Sequence, residues 1–298
     1  MKIEMKNKPV FIGAGIAIVT PFKEDLSIHY EMFEKHIDFL IENKADALVV
    51  AGTTGESATL SKEEKIELVK VAKSRVKGKI PIIAGSGSNC TKSTIELSKE
   101  FEKIDVDNLM VVTPYYNKAT QKGLINHYTE IANAVNTPIM LYNVPGRTAV
   151  NMEAATVAQL ANHENITSIK EASGDFTQIA EIAYRTKNVD NFYIFAGNDD
   201  QMLSMKALGS VGTVSVAGNI MPEIIHKLFT SDDVDNQSLE LQFKILELSR
   251  VLFSELSPSP IKAALTQIGL STEYLRPPLY PMENKEELIK VMKGLGII

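Results

Sequence analysis

Tryptophan is absent from this 298-residue chain, and cysteine occurs once, at Cys90. A single thiol excludes an internal disulfide and any cysteine-cluster metal site, which fits a reducing compartment. In Ser88-Asn-Cys-Thr91 it reads as a surface or helix-start thiol, not as a nucleophile. Histidine is scarce too, and His29, His36, His127, His163 and His226 all fall in helical or helix-flanking stretches with no metal-ligating spacing. No apolar run approaches the roughly 18–20 residues a membrane span needs. The start, Met1-Lys-Ile-Glu-Met-Lys-Asn-Lys-Pro9, lacks the apolar middle of a signal peptide, so a cytoplasmic protein is expected. With a net charge of −6 and no basic cluster, neither nucleic acid nor an anionic membrane is the expected partner. A small molecule is. Walker-type phosphate loops and Gly-x-Ser-x-Gly elbows are missing as well.

What is present is an alternation of short apolar, β-branched runs with amphipathic stretches, the pattern of βα units around a parallel sheet. Strands are predicted at Ile16–Thr20, Ala47–Val50, Pro81–Ala84, Asn108–Thr113, Pro138–Tyr142, Ile166–Lys170, Phe192–Ala196 and Gly212–Val216. Helices are predicted between them at Ser27–Asn43, Ser61–Lys77 with a Ser61-Lys-Glu-Glu64 capping box, Thr91–Ile104, Gln121–Val135 and Asp175–Thr186. The strands end at Thr20, Thr54 (counted with its turn), Ala84, Thr113, Tyr142, Lys170, Gly197 and Ser215, so most steps are 27 to 34 residues. That rhythm is the one a closed (β/α)8 TIM barrel requires. The last step is 18 residues, which implies a short helix, Asp200–Leu208, after the seventh strand. Gly13-Ala-Gly15 precedes its strand, so it is not a dinucleotide loop and an open doubly wound sheet is disfavoured. Beyond Met221–Thr230 no strands remain. Helical patterns at Asp235–Leu256, Pro260–Ile268 and Lys285–Gly294 suggest a catalytic barrel over 1–232 and a small all-helical domain over 233–298.

The organising residue is Lys170, at the end of the strand in Ile166-Thr-Ser-Ile-Lys-Glu-Ala-Ser-Gly-Asp175. Strand alternation puts it on the face of Ser168, with Ile169 and Glu171 opposite. Such a lysine either snorkels to water or is a desolvated amine able to attack a carbonyl and form a Schiff base. Active sites of barrels lie at the C-terminal ends of the strands. Those ends carry Ala51-Gly-Thr-Thr-Gly-Glu56, whose amides and hydroxyls could hold a carboxylate; Thr113-Pro-Tyr-Tyr-Asn117; and Tyr142-Asn-Val-Pro-Gly-Arg147. Two tyrosines and a threonine are expected to converge on the space Lys170 faces, a plausible proton relay for imine chemistry. Arg147 could grip a substrate carboxylate with two parallel hydrogen bonds, or lie in a surface ion pair.

Gly52-Thr-Thr-Gly-Glu56, Val112-Thr-Pro-Tyr-Tyr-Asn117, Tyr142-Asn-Val-Pro-Gly-Arg-Thr148 and Ile169-Lys-Glu-Ala-Ser-Gly174 resemble the motifs of the dihydrodipicolinate synthase family of class I pyruvate aldolases, to which N-acetylneuraminate lyases are related. The resemblance runs from Gly13 through the C-terminal helices. It implies that Lys170 forms an imine with pyruvate, whose carboxylate rests on Thr53 and Thr54. It also implies a relay of Thr54, Tyr116 and Tyr142, with Tyr116 supplied by the neighbouring subunit of a tight dimer. Arg147 would bind the carboxylate of L-aspartate 4-semialdehyde, and Gly197 and Val214 would shape the space near the imine. A condensation and cyclisation feeding diaminopimelate and lysine synthesis follows, with no cofactor, because the protonated imine is the electron sink. A homotetramer built as two tight dimers, or a dimer, is implied.

Two features, a pocket and a segment, depart from the family pattern. Family members inhibited by lysine bind it at a dimer-interface pocket corresponding to Ser57, Ala58, Lys62, Lys65, Asn89, Ser93 and Tyr115. His is common at the place of Lys62 and Glu at that of Ser93. Two cations and a missing acid oppose binding of another cation, so weak or absent lysine inhibition is expected. Ser257-Pro-Ser-Pro260 replaces a common Asn-Pro, and no functional change is attached to it. Two other activities compete with the synthase reading. A lyase acting on a sugar keto acid would need many hydrogen-bonding groups in its second pocket. A silent keto-acid sensor would not need the relay.

Overall fold

The computed structural model describes residues 8–231 and 234–298. Eight parallel strands close into a barrel in sequence order: β1 (Gly13–Ala17), β2 (Ala47–Val50), β3 (Ile82–Gly85), β4 (Asn108–Val112), β5 (Ile139–Asn143), β6 (Ile166–Glu171), β7 (Tyr193–Ala196) and β8 (Gly212–Ser215). Closure is made by β8 on β1, where Gly13 pairs with Gly212 and Gly15 with Val214.

Strand alternation divides the apolar residues between two cores. Ala47, Val49, Ile83, Met110, Met140, Tyr142, Phe195 and Val214 fill the barrel interior. Leu48, Val50, Leu109, Val111, Leu141 and Ile169 face outward beneath the helices. Helix starts follow the expected chemistry. The Ser61 hydroxyl accepts from Glu64 N while the Glu64 carboxylate accepts from Ser61 N, and Asp175 accepts from the amides of Thr177 and Gln178. Each such cap contributes about 1 kcal/mol.

The first strand lies three residues earlier than the sequence pattern suggests. Gly13 and Gly15 are inside β1, not before it. The reason is tertiary: a Cβ on Gly15 would come within 2.5 Å of the Phe11 ring, which closes the barrel floor against Phe195 at 4.5 Å between centroids. Gly15 makes room for that plug, whereas Gly13, at φ +108°, makes room for the Asp46 carboxylate, which accepts from Ala14 N at 2.7 Å. The unnamed helix between β5 and β6 is Ala154–Leu160, seven residues without a side-chain cap. After β7 come only a 3-10 turn, Asp199–Gln201, and the short helix Met202–Ala207, as the 18-residue step requires.

Helices Pro222–Thr230, Asn236–Leu252, Ser259–Gln267 and Glu286–Gly294 complete the chain. The expected boundary between 1–232 and 233–298 falls on residues 232 and 233, outside the described residues. The apolar stripe of the 236–252 helix is only partly used. Ile245, Leu248, Val251 and Leu252 are buried, whereas Leu239 and Phe243 are exposed. Among the described residues no helix is long and apolar enough to cross a membrane.

Candidate active site

Lys170 stands near the C-terminal end of β6, aligned with Tyr142 on β5 and Phe195 on β7. Its side chain points into the barrel with that of Ser168, and it is 6% exposed. The amine lies 4.3 Å from the centroid of the Tyr142 ring. A cation over an aromatic face is favourable, more so when desolvated. The β-ladder sets this contact, because parallel neighbours in register present their side chains to the same side of the sheet.

Around the amine the backbone is tightly joined. Thr113 N donates to Tyr142 O, Ala172 N to Asn143 O, and Gly197 N to Glu171 O at 2.8 Å. Gly197 must be glycine, since a Cβ would meet the Ala172 side chain at 2.5 Å. Val214 is buried inside the barrel. Behind Lys170, the outward-facing Glu171 carboxylate is fully buried. It accepts from Asn143 Nδ2 at 3.0 and 3.2 Å and from Ser173 N at 2.7 Å. Burial nevertheless pushes its pKa up.

Thr53 and Thr54 sit on the turn after β2, which is folded by Gly55 N to Gly52 O and Glu56 N to Thr53 O bonds, both 3.1 Å. Thr54 is buried and Thr53 half-buried. Arg147 occupies a single helical turn, Pro145–Thr148, following β5, and its Nη2 donates to Ser257 O at 3.4 Å. Ser257 is 110 residues away in sequence yet contacts this site residue. A cavity of about 370 Å³ opens at the C-terminal face between the turns, lined among others by Thr53, Lys65, Tyr115, Arg147, Ser257 and Pro258.

Tyr116 is placed differently from the other sequence-expected residues. It is 90% exposed, at φ +74°, the centre of a three-residue turn closed by Asn117 N to Tyr115 O at 2.9 Å. This γ-turn geometry is strained for a bulky side chain. Within one chain the two tyrosines therefore do not converge: Tyr142 meets Lys170, whereas the ring of Tyr116 projects outward. Thr113 is likewise committed elsewhere, its hydroxyl donating to that of Thr148 at 3.1 Å.

Lys262, a second buried lysine, is not marked by any of the sequence motifs. It is fully buried and paired with Glu56 Oε1 at 2.7 Å. Desolvation lowers its pKa to about 8 against the raising effect of Glu56. A lysine inside the apolar run Ile261-Lys-Ala-Ala-Leu265 was the available signal.

Fold and site together define a (β/α)8 barrel with a buried lysine amine at the mouth of its sixth strand. The sequence model of the Dihydrodipicolinate synthetase family matches residues 11–295, and the chain belongs to that family. The 4-hydroxy-tetrahydrodipicolinate synthase of Alkaliphilus oremlandii is 46% identical over 294 residues, covering 97% of this chain and 100% of the relative. The crystal structure of the Thermotoga maritima dihydrodipicolinate synthase superposes with a TM-score of 0.94 at 40% identity, covering 97% of this chain and 100% of that one. A chloride-inhibited dihydrodipicolinate synthase from Acinetobacter baumannii, complexed with pyruvate, gives 0.93 at 37% identity, with 96% and 99% covered.

Proposed function

We propose that this protein condenses pyruvate with L-aspartate 4-semialdehyde to give 4-hydroxy-tetrahydrodipicolinate, in the diaminopimelate route to lysine. The observation that carries the reading is the buried Lys170 amine over the Tyr142 ring at the top of β6. The family and the names of its members, one of them solved with pyruvate, support it.

The Lys170 amine attacks C2 of pyruvate and water leaves, giving an imine. Thr53 and Thr54 receive the pyruvate carboxylate. Once protonated, the imine draws electrons from the methyl group, whose proton passes to a relay of Tyr142, Thr54 and Tyr116. The resulting enamine carbon attacks the aldehyde of the second substrate, and Arg147 holds that substrate's carboxylate. Its amino group then displaces Lys170 from the imine carbon and closes the ring. Gly197 and Val214 leave room beside the imine. No cofactor enters this sequence, since the imine serves as electron sink.

Tyr116 enters the relay from a second copy of the chain in a homodimer, or in a tetramer of two such dimers. Its outward ring and strained backbone are the features that support this part of the reading. A catalytic unit over 1–232, a helical unit over 233–298 and a cytoplasmic location complete the proposal.

The deciding experiment is turnover of pyruvate with L-aspartate 4-semialdehyde beside cleavage of N-acetylneuraminate by the same preparation. Turnover of the first alone is expected. Cleavage of the second alone would keep Lys170 and Tyr142 as catalysts and overturn the substrate assignment.

A further inference from the structure

Among the described residues, only one ion pair has both side chains fully enclosed, Glu56 with Lys262. Glu56 is the last residue of the turn that presents Thr53 and Thr54, and it takes the left-handed conformation at φ +55°. Its carboxylate is enclosed and meets Lys262 of the C-terminal helices. Lys262, on the helix Ser259–Gln267, spends all three of its donors there: on Glu56 Oε1, on Thr20 O at 3.0 Å and on Tyr274 O. Thr20 in turn donates its hydroxyl to Gly55 O at 2.8 Å.

The second carboxylate oxygen accepts from Arg276 N at 3.1 Å. The Arg276 guanidinium forks onto Glu64 at 2.6 and 2.7 Å and reaches Thr59 O and Leu26 O at 2.9 Å. Phe22 lies beneath both cations, 4.4 Å from Lys262 Nζ and 4.6 Å from the Arg276 guanidinium carbon. Every donor and acceptor of the buried pair is thus matched, and the partners converge on the residues flanking the threonine turn.

A fully desolvated ion pair adds little net stability, and apolar residues of similar volume would hold the helix against the barrel equally well. What the charges add is direction, because a satisfied buried network admits one geometry. We infer that Glu56 and Lys262 are positioning residues that fix the Thr53–Thr54 turn in the form that receives the keto-acid carboxylate. The C-terminal helices thereby set the affinity for the first substrate. This rests on the reading that Thr53 and Thr54 bind pyruvate.

The test uses the pyruvate concentration giving half-maximal borohydride trapping at Lys170, read by intact mass, together with KM for both substrates and the melting temperature. Two variants are compared with wild type: Glu56→Gln, and the apolar pair Glu56→Leu with Lys262→Met. Half-saturation by pyruvate is expected to rise about tenfold in both, with KM for the aldehyde within a factor of about three. The apolar pair is expected to melt no lower than Glu56→Gln. The inference is overturned if the apolar pair restores wild-type half-saturation, or if Glu56→Gln lowers the melting temperature without moving it. Should the apolar pair not fold, Glu56→Gln alone decides. A wild-type protein that traps no pyruvate adduct overturns the imine reading as well, which separates the two failures.

Discussion

Lys170 and Tyr142 are register partners on adjacent parallel strands, and the amine of one lies 4.3 Å from the ring centroid of the other. The separation is set by the β5–β6 ladder and not by a flexible loop. The proposed nucleophile and the tyrosine beside it are therefore both held by the barrel ladder.

Replacing Lys170 by Ala removes the imine while leaving the barrel folded, since its loss vacates only one stem in the interior. Borohydride trapping with pyruvate should give no mass increase, and far-UV circular dichroism should match wild type. Tyr142→Phe keeps the ring under the amine and removes only the hydroxyl. Its kcat should fall about a hundredfold, the usual size of a lost acid–base contribution. Near-wild-type turnover in either variant would remove Lys170 or Tyr142 from the mechanism.

Arg147→Ala should act on the second substrate alone. A lost hydrogen bond to a charged group costs about 1.5–3 kcal/mol, so KM for L-aspartate 4-semialdehyde should rise by about one to two orders of magnitude. Half-saturation of imine trapping by pyruvate should stay put. A rise in the pyruvate requirement instead would place Arg147 with the first substrate.

Tyr116 supplied in trans makes a distinct prediction. Tyr116→Phe and Lys170→Ala are each poorly active alone. Mixed, unfolded together and refolded, they form heterodimers in which one site has an intact Lys170 and receives an intact Tyr116. Recovery of up to about a quarter of wild-type activity is expected if exchange is random and subunits pair as dimers. Absence of any recovery in a preparation shown to contain mixed dimers argues that Tyr116 serves its own chain.

His36 should make the protein acid-sensitive. Its ring is fully enclosed, with Nε2 3.1 Å from Asn219 O, and burial lowers its pKa to about 4. The neutral form is favoured in the folded state, so the stability it contributes is full above pH 6.5 and lost as pH falls through about 4. For a shift of this size the loss is about 3 kcal/mol. The urea midpoint of wild type should fall between pH 7 and pH 4 by more than that of His36→Gln, which does not titrate. Parallel pH curves for the two proteins would contradict this.

Free lysine should inhibit weakly or not at all. Lys65 lines the cavity at the C-terminal face, and among the described residues its amine has no acidic partner. Burial accordingly lowers its pKa. Lys62 is only loosely paired, 3.8 Å from Glu100. The acid that lines the cavity, Glu56, is already paired with Lys262 at 2.7 Å, so a cationic ligand meets repulsion there with no acid left to offset it. A lysine inhibition curve with a submillimolar midpoint is the result that would refute it.

The sequence by itself determined the eight-fold βα rhythm, because each strand needs a continuous apolar run and each barrel unit a near-constant length. It also located Lys170, since strand alternation is local and the motifs beside it are contiguous. Contacts between distant segments were beyond its reach. Gly13 and Gly15 read as a loop because what demands them, the Asp46 carboxylate for the first and the Phe11 ring of the barrel floor for the second, is brought there by tertiary packing. Ser257 read as remote from the chemistry, although its carbonyl accepts from Arg147. Glu56 and Lys262 are 206 residues apart, and each alone is an ordinary charged residue in a turn or a helix. Only the closed barrel brings them into one dry site, where a buried charge must be matched donor by donor, and long-range matching of that kind leaves no periodicity for a sequence to display.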